Sequence, residues 1–392
     1  MVSPVAPWPA TTGGLVRIAS LLTEMAQHFD VTFASPREAG QRLPRDLPVR
    51  FLCPEVPGAN VVGKLRAAAD PTRPYHAALY DSARVRQAVR QAMAEERFAL
   101  IYSHFLYPME YLPNTAAHVI IDSQNVDRVY WQNKADHSSM PLSAFARWNK
   151  RRTMAYESRL LPRIWAYVSV SDEDREQTRA YAGARVKHFW VAPNGVDVER
   201  FAPAERVEQQ DAITLGYLGS MDLEMNIEAV RRFCADLLPR IRRQLEHTRV
   251  KFLVIGREPS PEIRALAQSV PDVTVSGTVP DVAPWLQKVD ILVCPLRMGA
   301  GTKLKVAEGL ASGLPVVGSS LALAGLPGRP GEDYISADTD DSFVEAVCGL
   351  ARAPQARHAL GRQARALAVA RLDWRAIVGR LADDMKEALA RG

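Results

Sequence analysis

The chain lacks the features that mark several classes of protein. Its 392 residues include four cysteines, which are far apart and form no CxxC pair, so neither a disulfide framework nor a cysteine-based zinc site is expected. No run of 18 apolar residues occurs, which argues against a membrane-spanning helix. The net charge of +5 is small and is not gathered in one domain, so we expect no nucleic-acid partner. The N-terminus carries no export-signal pattern, and we expect a cytoplasmic protein.

Short apolar runs alternate with amphipathic helical patterns along the chain. The runs that predict strands are 30–35, 99–104, 118–123, 166–171, 212–220, 250–256, 273–277, 290–296 and 314–319. The patterns that predict helices are 16–29, 82–98, 226–246, 260–269, 281–288 and 302–312. This alternation indicates parallel sheets covered by helices on both faces. A connector with Pro and Asn-Gly near 193–203 separates two such series and therefore two doubly wound domains.

One strand-end segment combines several features of a nucleotide site, since ligands of open α/β sheets bind outside the carboxyl ends of the strands. In RMGAGTKLKVAEGLASGLPVV (297–317), the turn Gly299-Ala300-Gly301 precedes Thr302, which can cap the following helix. Backbone amides at such a helix start attract phosphate. Glu308 falls at the edge of the buried stripe, where its carboxylate can accept hydrogen bonds from vicinal hydroxyls such as those of a ribose. An ordinary turn with a surface glutamate is the alternative, but the combined pattern favours a nucleotide.

The same segment resembles the nucleotide-ribose signature of the retaining GT-B glycosyltransferases, specifically glycosyltransferase family 4. The resemblance runs from about residue 7 to 380 and includes PWPATTGGLVRIASLL (7–22), IYSHF (101–105), YVSVSDED (167–174), VAPNGVDVERFAP (191–203), LGYLGSMD (215–222) and VSGTVPDVAPWL (275–286). It implies an α/β GT-B fold, in which two Rossmann-like domains face each other across a cleft. The acceptor-side domain would comprise 1–195 and a returning C-terminal helix at 373–392, and the donor domain 204–372.

The resemblance also implies roles for individual residues. Gly13 and Gly14 would bring backbone amides to the donor phosphate, and His104 would contact the donor sugar near its reacting carbon as the candidate catalytic residue. A buried structural histidine is the alternative for His104. The other positions implied in binding the diphosphate, base and ribose of the donor are Asn194, Gly219, Ser220, Val279, Arg297, Gly299, Ala300, Gly301, Thr302, Lys303, Lys305 and Glu308.

Three positions depart from the family pattern. The family commonly has an arginine and a lysine that bind the diphosphate where this chain has Ser220 and Met225, and a second glutamate where it has Ala300. The amides and hydroxyls at 299–302, with Arg297, Lys303 or Lys305, are expected to replace the lost charge.

The resemblance implies a transferase that moves a sugar from a nucleoside diphosphate to a hydroxyl acceptor with retention of configuration. No cofactor is expected, because the nucleoside diphosphate sugar is itself a substrate. A metal is not expected either, because Asp172-Glu173-Asp174 reads as the start of a helix, where acidic residues suit the helix dipole. Two alternatives remain open. A sugar-nucleotide 2-epimerase also uses two α/β domains, and the three departures suit a non-catalytic nucleotide-sugar-binding subunit.

A basic segment with aromatic residues, 142–165, allows two interpretations. Such a helix can lie on an anionic membrane surface, which would make the protein peripheral at the inner face of the membrane. The favoured interpretation is that its aromatic residues pack against the N-terminal domain.

Overall fold

The computed structural model describes residues 1–58, 60–124, 127–204, 211–298 and 304–391. The chain divides into two compact units, of which the first comprises Met1–Pro193 with Ile377–Gly392 and the second Asn194–Ala376. All paired strands in both units are parallel. The predicted α/β class with parallel sheets is therefore confirmed.

The first unit contains a four-stranded sheet and a two-stranded sheet. Its strands are β1 (Val31–Ala34), β2 (Val49–Leu52), β3 (Leu100–His104), β4 (His118–Ser123), β5 (Ala166–Ser169) and β6 (His188–Val191). The sheet orders are β3-β4-β5-β6 and β1-β2. Val2 lies between the two sheets and forms isolated parallel bridges with Ala34 of β1 and Ser103 of β3. The short N-terminal stretch thus hydrogen-bonds to both sheets.

Helices of the first unit connect these strands. They are α1 (Gly13–Met25), α2 (Val61–Ala69), α3 (Tyr75–Leu79), α4 (Ala83–Glu95), α5 (Asp127–Asp136), α6 (Leu142–Leu160) and α7 (Asp172–Ala182). Acidic residues open α7, where the Ser171 hydroxyl accepts a hydrogen bond from the Asp174 amide at 3.1 Å. The expectation that 172–174 start a helix is therefore confirmed.

The second unit is built on one six-stranded sheet with the order β12-β11-β10-β7-β8-β9. Its strands are β7 (Ala212–Leu218), β8 (Arg249–Ile255), β9 (Val273–Val275), β10 (Ile291–Cys294), β11 (Val316–Gly318) and β12 (Ile335–Ser336). Strand β10 carries only apolar residues and is completely buried, as expected for a parallel strand with helices on both faces.

Helices also cover this sheet. They are α8 (Glu224–Arg232), α9 (Leu238–Gln244), α10 (Pro261–Ser269), α11 (Ala283–Leu286), α12 (Leu304–Ala311), α13 (Ser320–Leu323), α14 (Asp340–Arg352) and α15 (Pro354–Leu367). The last helix, α16 (Trp374–Ala390), begins in the second unit and continues in the first from Ile377.

The aromatic residues of the basic segment 142–165 are largely packed within the first unit. The ring of Phe145 lies 6.0 Å from those of Tyr75 and Trp131, and Trp165 is buried beside His118. Trp148 remains 40% exposed, with the Arg152 guanidinium 4.0 Å from its ring. Within the described ranges, no helix has the length and apolar character needed to cross a membrane. Contact of this segment with a membrane surface stays a prediction.

Candidate active site

A buried network of charges surrounds His104 at the end of β3. The Arg17 guanidinium on α1 donates to Asp122 at the end of β4, with Nη2–Oδ1 at 2.6 Å and Nε–Oδ2 at 3.1 Å. Asp122 Oδ2 also lies 3.1 Å from His104 Nδ1. The side chains of Arg17, Asp122 and His104 are 1%, 0% and 0% exposed. Two parallel strands and one helix therefore assemble a closed ion-paired cluster.

The network fixes the protonation of His104. Despite its burial, the pKa of Asp122 is held well below its usual range by the charge of Arg17 and the hydrogen bonds it accepts, so this carboxylate is ionised. An ionised carboxylate only accepts hydrogen bonds, so the proton of neutral His104 lies on Nδ1 and Nε2 carries a lone pair. Burial also lowers the pKa of His104, although Asp122 opposes the shift. His104 is therefore a neutral imidazole whose Nε2 can accept a hydrogen bond.

The Nε2 atom of His104 is buried and has no hydrogen-bond partner among the residues described. Buried polar atoms of this kind are usually satisfied by a partner, which a ligand can supply. Because the side chain is fully enclosed, the sugar contact implied for His104 requires the groups that cover Nε2 to move.

The glycine pair opens α1, as the resemblance implies. Thr12 caps the helix by accepting a hydrogen bond from the Leu15 amide, and Gly13 and Gly14 are its first two residues. Amides at these helix positions have no acceptor within the helix. A Cβ atom on Gly14 would lie 3.2 Å from Gln124 Oε1, so a side chain there would press on the loop after β4. The start of α1 is thus both close-packed and rich in donors.

In the second unit, two glycines bring the loops after β7 and β8 into direct contact. The strands pair in a register that places Leu218 opposite Ile255. A Cβ atom on Gly256 would lie 1.7 Å from the Gly219 carbonyl oxygen, and one on Gly219 would lie 2.9 Å from the Asn226 side chain. Neither position can hold a larger residue without movement of the backbone or of Asn226. Gly219 therefore has a packing role whether or not it contacts a ligand.

This contact brings an arginine to Ser220, where the family commonly has one. Arg257 follows Gly256, and its Nε donates to Ser220 Oγ at 2.6 Å. The guanidinium is half-buried and forms no ion pair with a carboxylate of the described residues. Arginine presents five N–H donors in a planar fork that matches phosphate, and only one of them is used here. Arg257 was not predicted from the sequence, because its partner Ser220 lies in the loop after a different strand, β7.

Lys305 in α12 is held beside the same loop. Its Nζ donates to Tyr217 Oη at 2.9 Å and to Asn226 Oδ1 at 2.6 Å. Asn226 in turn donates to the Ser220 carbonyl at 2.7 Å. Lys305 therefore reaches the residue next to Met225, where the family commonly has a lysine. Gly219, Ser220 and Lys305 are thus brought together through Asn226.

Arg297 is engaged in a different cluster. Its Nη2 donates to Asp340 Oδ1 at 3.0 Å, and Arg232 binds the same carboxylate oxygen at 2.7 Å. Among the predicted donor-site cations that the structure describes, Arg297 is therefore the one that forms an ion pair with Asp340.

Glu308 lies on α12 in a half-buried position, in agreement with its predicted place at the edge of the apolar stripe. Burial raises the pKa of its carboxyl to about 7, although the positive charges of Arg200 and Lys305 lower it. Arg200 itself donates to Asp281 Oδ1 at 2.8 Å, in the segment that follows β9. The carboxyl of Glu308 thus faces two cations and one carboxylate, and it changes protonation near neutral pH.

The remaining predicted positions differ in how the structure describes them. Gly299, Ala300, Gly301, Thr302 and Lys303 lie outside the described residues. Asn194 and Val279 are half-buried. Gly195, which follows Asn194, packs against the start of α16, where a Cβ atom would lie 2.7 Å from Trp374 Cδ2. The glycine of the PNGVD sequence is therefore required for packing.

A second group of titratable residues lies in the first unit. Tyr107 Oη donates to Asp127 Oδ1 at 2.5 Å, and His76 Nδ1 lies 3.0 Å from the same hydroxyl. Burial raises the pKa of Asp127 to about 7, with Tyr107 opposing the shift and Glu157 adding to it. Burial lowers the pKa of His76 to about 4. The described residues contain no group of three or more His, Cys, Asp or Glu side chains placed to hold a metal ion.

Comparison with known proteins agrees with this architecture. The family described as Glycosyltransferase Family 4 matches residues 12–200, and the one described as Glycosyl transferases group 1 matches residues 212–353. No curated protein matches the sequence.

Solved structures match the fold over nearly the whole chain. Sucrose-phosphate synthase from Thermosynechococcus elongatus is 14% identical with a TM-score of 0.70, and the match covers 100% of this chain and 99% of that one. HepE from Anabaena in complex with UDP is 11% identical with a TM-score of 0.64, covering 98% and 99%. WaaG, a glycosyltransferase of lipopolysaccharide biosynthesis, is 15% identical with a TM-score of 0.62, covering 98% and 99%.

The two parallel α/β units and these matches define the fold as that of the GT-B glycosyltransferases. With both of its units matched, the chain belongs to glycosyltransferase family 4, glycosyl transferases group 1.

Proposed function

We propose that this glycosyltransferase transfers a sugar from a nucleoside diphosphate donor to a hydroxyl acceptor, with retention of the anomeric configuration and without a metal ion. The observation that carries the proposal is the cation pair at the carboxyl ends of β7 and β8. Arg257 on Ser220 and Lys305 on Asn226 occupy the surroundings of two positions where the family commonly has phosphate-binding cations.

The chemistry of sugar transfer explains why these cations matter. As the bond between the sugar and the diphosphate breaks, negative charge grows on the departing phosphate oxygens. Positioned cations and N–H groups stabilise that charge in the transition state, and such electrostatic stabilisation is commonly the largest catalytic contribution. Arg257 can donate through its unused N–H groups, and Lys305 adds a second positive charge. This arrangement can neutralise the diphosphate without a divalent cation.

His104 would act on the donor sugar rather than on the diphosphate. Its neutral imidazole cannot stabilise negative charge as an imidazolium would, but Nε2 can accept a hydrogen bond from a sugar hydroxyl. Asp122 fixes the tautomer that makes this possible, and Arg17 keeps Asp122 ionised. The proposed role of His104 is therefore to orient the sugar, and the proposed role of Glu308 is to accept hydrogen bonds from the ribose.

Uridine diphosphate sugars are the first donors to test, because solved structures of HepE contain UDP, UDP with glucose, and UDP-glucose. Isothermal titration calorimetry with UDP, GDP and ADP and their glucose conjugates would identify the base. We expect at least one nucleotide to bind without added metal and in the presence of EDTA. Binding that requires Mg²⁺ or Mn²⁺ would contradict the metal-free part of the proposal.

Substitution of Arg257 gives the sharpest test of the phosphate site. Removing a charge-assisted hydrogen bond costs about 1.5–3 kcal/mol, so Arg257→Ser should weaken nucleotide diphosphate binding roughly 10- to 150-fold. Ser220→Arg in that background should restore much of the affinity, since it returns a guanidinium to the same loop pair. Arg240→Ala, which removes a surface arginine paired with Asp341, is the matched control. Equal binding by the Arg257 variant and the control would exclude Arg257 from the site.

Product analysis separates the proposal from its alternatives. NMR coupling constants of the product's anomeric proton should show the same configuration as the donor. An epimerase would instead convert the donor with no acceptor present, and a binding subunit would hold the donor without turnover across a broad acceptor panel. The presence of Arg257 beside Ser220 favours a working transferase over a binding subunit.

We also propose a cytoplasmic location with peripheral contact to the membrane through the exposed basic face of α6. Cosedimentation with vesicles of phosphatidylcholine and phosphatidylglycerol tests this contact. Binding that depends on the anionic lipid and weakens in Trp148→Ala would support it, and equal recovery with neutral vesicles would contradict it.

A further inference from the structure

A cavity of about 310 Å³ lies within the first unit. The start of α1, helix α3, the residues after β3 and helix α5 contribute to its lining. Much of its wall is aromatic, with Tyr80, Phe105 and Tyr130 among the lining residues. Gly14 also lines it, so the cavity adjoins the glycine pair at the start of α1. Of the lining residues, only Gly14 has a ligand-binding role in the functions proposed above.

Three of the polar side chains that line the cavity form a hydrogen-bonded chain. Tyr107 has a single hydroxyl proton, so when it donates to Asp127 it accepts from Nδ1 of His76. His76 is then a neutral imidazole with its lone pair on Nε2. Among the described residues, neither His76 Nε2 nor Asp127 Oδ2 has a hydrogen-bond partner. The chain thus holds its members in place and leaves polar atoms available to a ligand.

The charge of the lining restricts what the cavity can hold. Among the residues described, neither lysine nor arginine lines it. Lys134 provides a cation nearby, with its Nζ 5.9 Å from the ring centroid of Tyr130. A phosphate or carboxylate placed there would lie beside the carboxyl of Asp127 with no cation in the wall itself, and would lose part of its hydration. The cavity therefore suits an uncharged ligand.

The wall residue Phe105 has an unusual backbone. It directly follows His104 and has a φ of 68°, in the left-handed region that non-glycine residues rarely adopt. Its ring stacks on that of Tyr107, with centroids 5.8 Å apart and planes at 16°. Backbone strain of this kind tends to occur at functional sites. The strained residue places an aromatic ring of the wall immediately after the candidate catalytic residue.

We propose that this cavity binds the acceptor and that the acceptor presents an uncharged sugar ring to it. The inference rests on the glycosyl transfer proposed above and adds the substrate class. One face of a sugar ring is apolar and can lie against the tyrosine and phenylalanine rings, while its hydroxyls can pair with His76, Tyr107 and Asp127. A simple phenol has one hydroxyl and would leave most of these polar atoms unpaired. The volume is at the small end for ligand sites, which suits a single ring.

Saturation-transfer NMR on the full chain tests the inference with defined probes. The probes are the methyl α-glycosides of glucose, mannose and galactose, together with glucose 6-phosphate and phenol. We expect at least one methyl glycoside to bind and expect neither glucose 6-phosphate nor phenol to displace it. Stronger binding by the phosphate or by phenol, or no binding by any glycoside, would overturn the assignment of substrate class.

Three variants show whether the glycoside occupies this cavity. Tyr130→Ala and Asp127→Asn should each weaken its binding at least tenfold. Val129→Ala should leave binding unchanged, because Val129 neighbours Tyr130 on α5 with similar exposure (38% against 41%) and does not line the cavity. If Asp127→Asn fails to fold, Tyr130→Ala decides, since its partly exposed ring is replaceable without a core defect. Unchanged glycoside binding in Tyr130→Ala would overturn the site.

A nucleotide titration on the same samples separates this inference from the proposed function. The cavity variants should bind nucleotide like the wild type, and Glu308→Ala should lose nucleotide affinity but keep the glycoside. A protein that binds nucleotide sugar but no glycoside would contradict the cavity proposal alone. A protein that binds glycoside but no nucleotide would contradict the proposed function.

Discussion

Breaking the Arg17–Asp122 pair should reveal how strongly this ion pair holds the first unit together. Asp122→Asn removes the carboxylate that pairs with the buried Arg17 guanidinium, and Arg17→Met removes the guanidinium that pairs with the buried Asp122 carboxylate. Arg17 also donates through Nη1 to the carbonyls of Ala192 at 2.8 Å and Pro193 at 3.3 Å, at the end of the first unit. The pair therefore joins α1, β4 and the segment that follows β6.

The expected cost follows from burial. Both side chains are at most 1% exposed, so loss of one partner strands a charge in the interior. Stranding a buried charge costs about 3–5 kcal/mol, whereas removal of both charges is often much less costly. In Arg17→Met/Asp122→Asn the two carbonyls lose their donor, which adds about 1–3 kcal/mol each if they stay unpaired. The double variant should still be more stable than the sum of the single losses predicts, by at least about 2 kcal/mol.

Urea unfolding followed by tryptophan fluorescence measures these differences. Five of the seven tryptophans belong to the first unit, so the signal mainly reports on it: Trp8, Trp131, Trp148, Trp165 and Trp190. Because the pKa of Asp122 is depressed in the folded state, its contribution is present above the unfolded-state pKa of about 4. The difference between wild type and Asp122→Asn should therefore shrink as the pH falls below that value.

A surface ion pair provides the control for this comparison of single and double variants. Arg50 is 45% exposed and pairs with Glu95 and Glu96, so Arg50→Ala should cost no more than about 1 kcal/mol. The ion-pair argument would be refuted if Arg17→Met and Asp122→Asn each lowered the free energy of unfolding by as little as this and if the two losses simply added in the double variant.

Two further predictions concern the second unit. Nucleotide affinity should rise between pH 6 and pH 8. Burial raises the pKa of Glu308 to about 7, and only its ionised form accepts two ribose hydrogen bonds. The charged groups that act on Glu308 are Arg200, Lys305 and Asp281. Calorimetry over that range should show the slope in the wild type and its loss in Glu308→Gln, and an equal slope in both would exclude Glu308. Gly256→Ala should destabilise the second unit and weaken nucleotide binding, because its Cβ would overlap the Gly219 carbonyl. Gly349→Ala in α14 is the control: a Cβ atom there meets open space, and the change should stabilise the protein by up to about 1 kcal/mol. Comparable thermal shifts in the two variants would contradict the packing argument.

The strands that the sequence predicts are the ones with continuous apolar runs. Strand β10, ILVC, is completely buried and needs no partner information to be recognised. Three strands were missed, β2, β6 and β12, and all three lie at sheet edges. Strand β2 includes exposed Arg50, β6 has only half-buried residues, and β12 is two residues long. The edge strands β1, β3 and β9 were predicted, so an edge position alone does not hide a strand. The three missed strands combine an edge position with short length or partial exposure, so their sequences lack a clear apolar run.

The site was predictable where one segment carries the signal. Lys305 and Glu308 belong to the same sequence segment as the glycine pattern 299–301, and Gly219-Ser220 follow a buried strand. Arg257 was not predictable in this way, because its contact with Ser220 depends on the register between β7 and β8. Arg17 and Asp122 are noticeable in the sequence, because each is a charged residue within a buried apolar pattern. Only the fold shows that they pair.

The exchange of a cation between neighbouring loops would explain how the proposed phosphate site is kept although the family pattern changes. In the register of β7 and β8, Leu218 lies opposite Ile255, so the next positions place Gly219 beside Gly256 and Ser220 beside Arg257. Two glycines allow the loop backbones to touch, and a guanidinium rooted in either loop then reaches the same space. The same reasoning applies to Met225, since Lys305 approaches Asn226 from α12. What such a site must retain is positive charge at the carboxyl ends of these strands, whichever loop or helix supplies it.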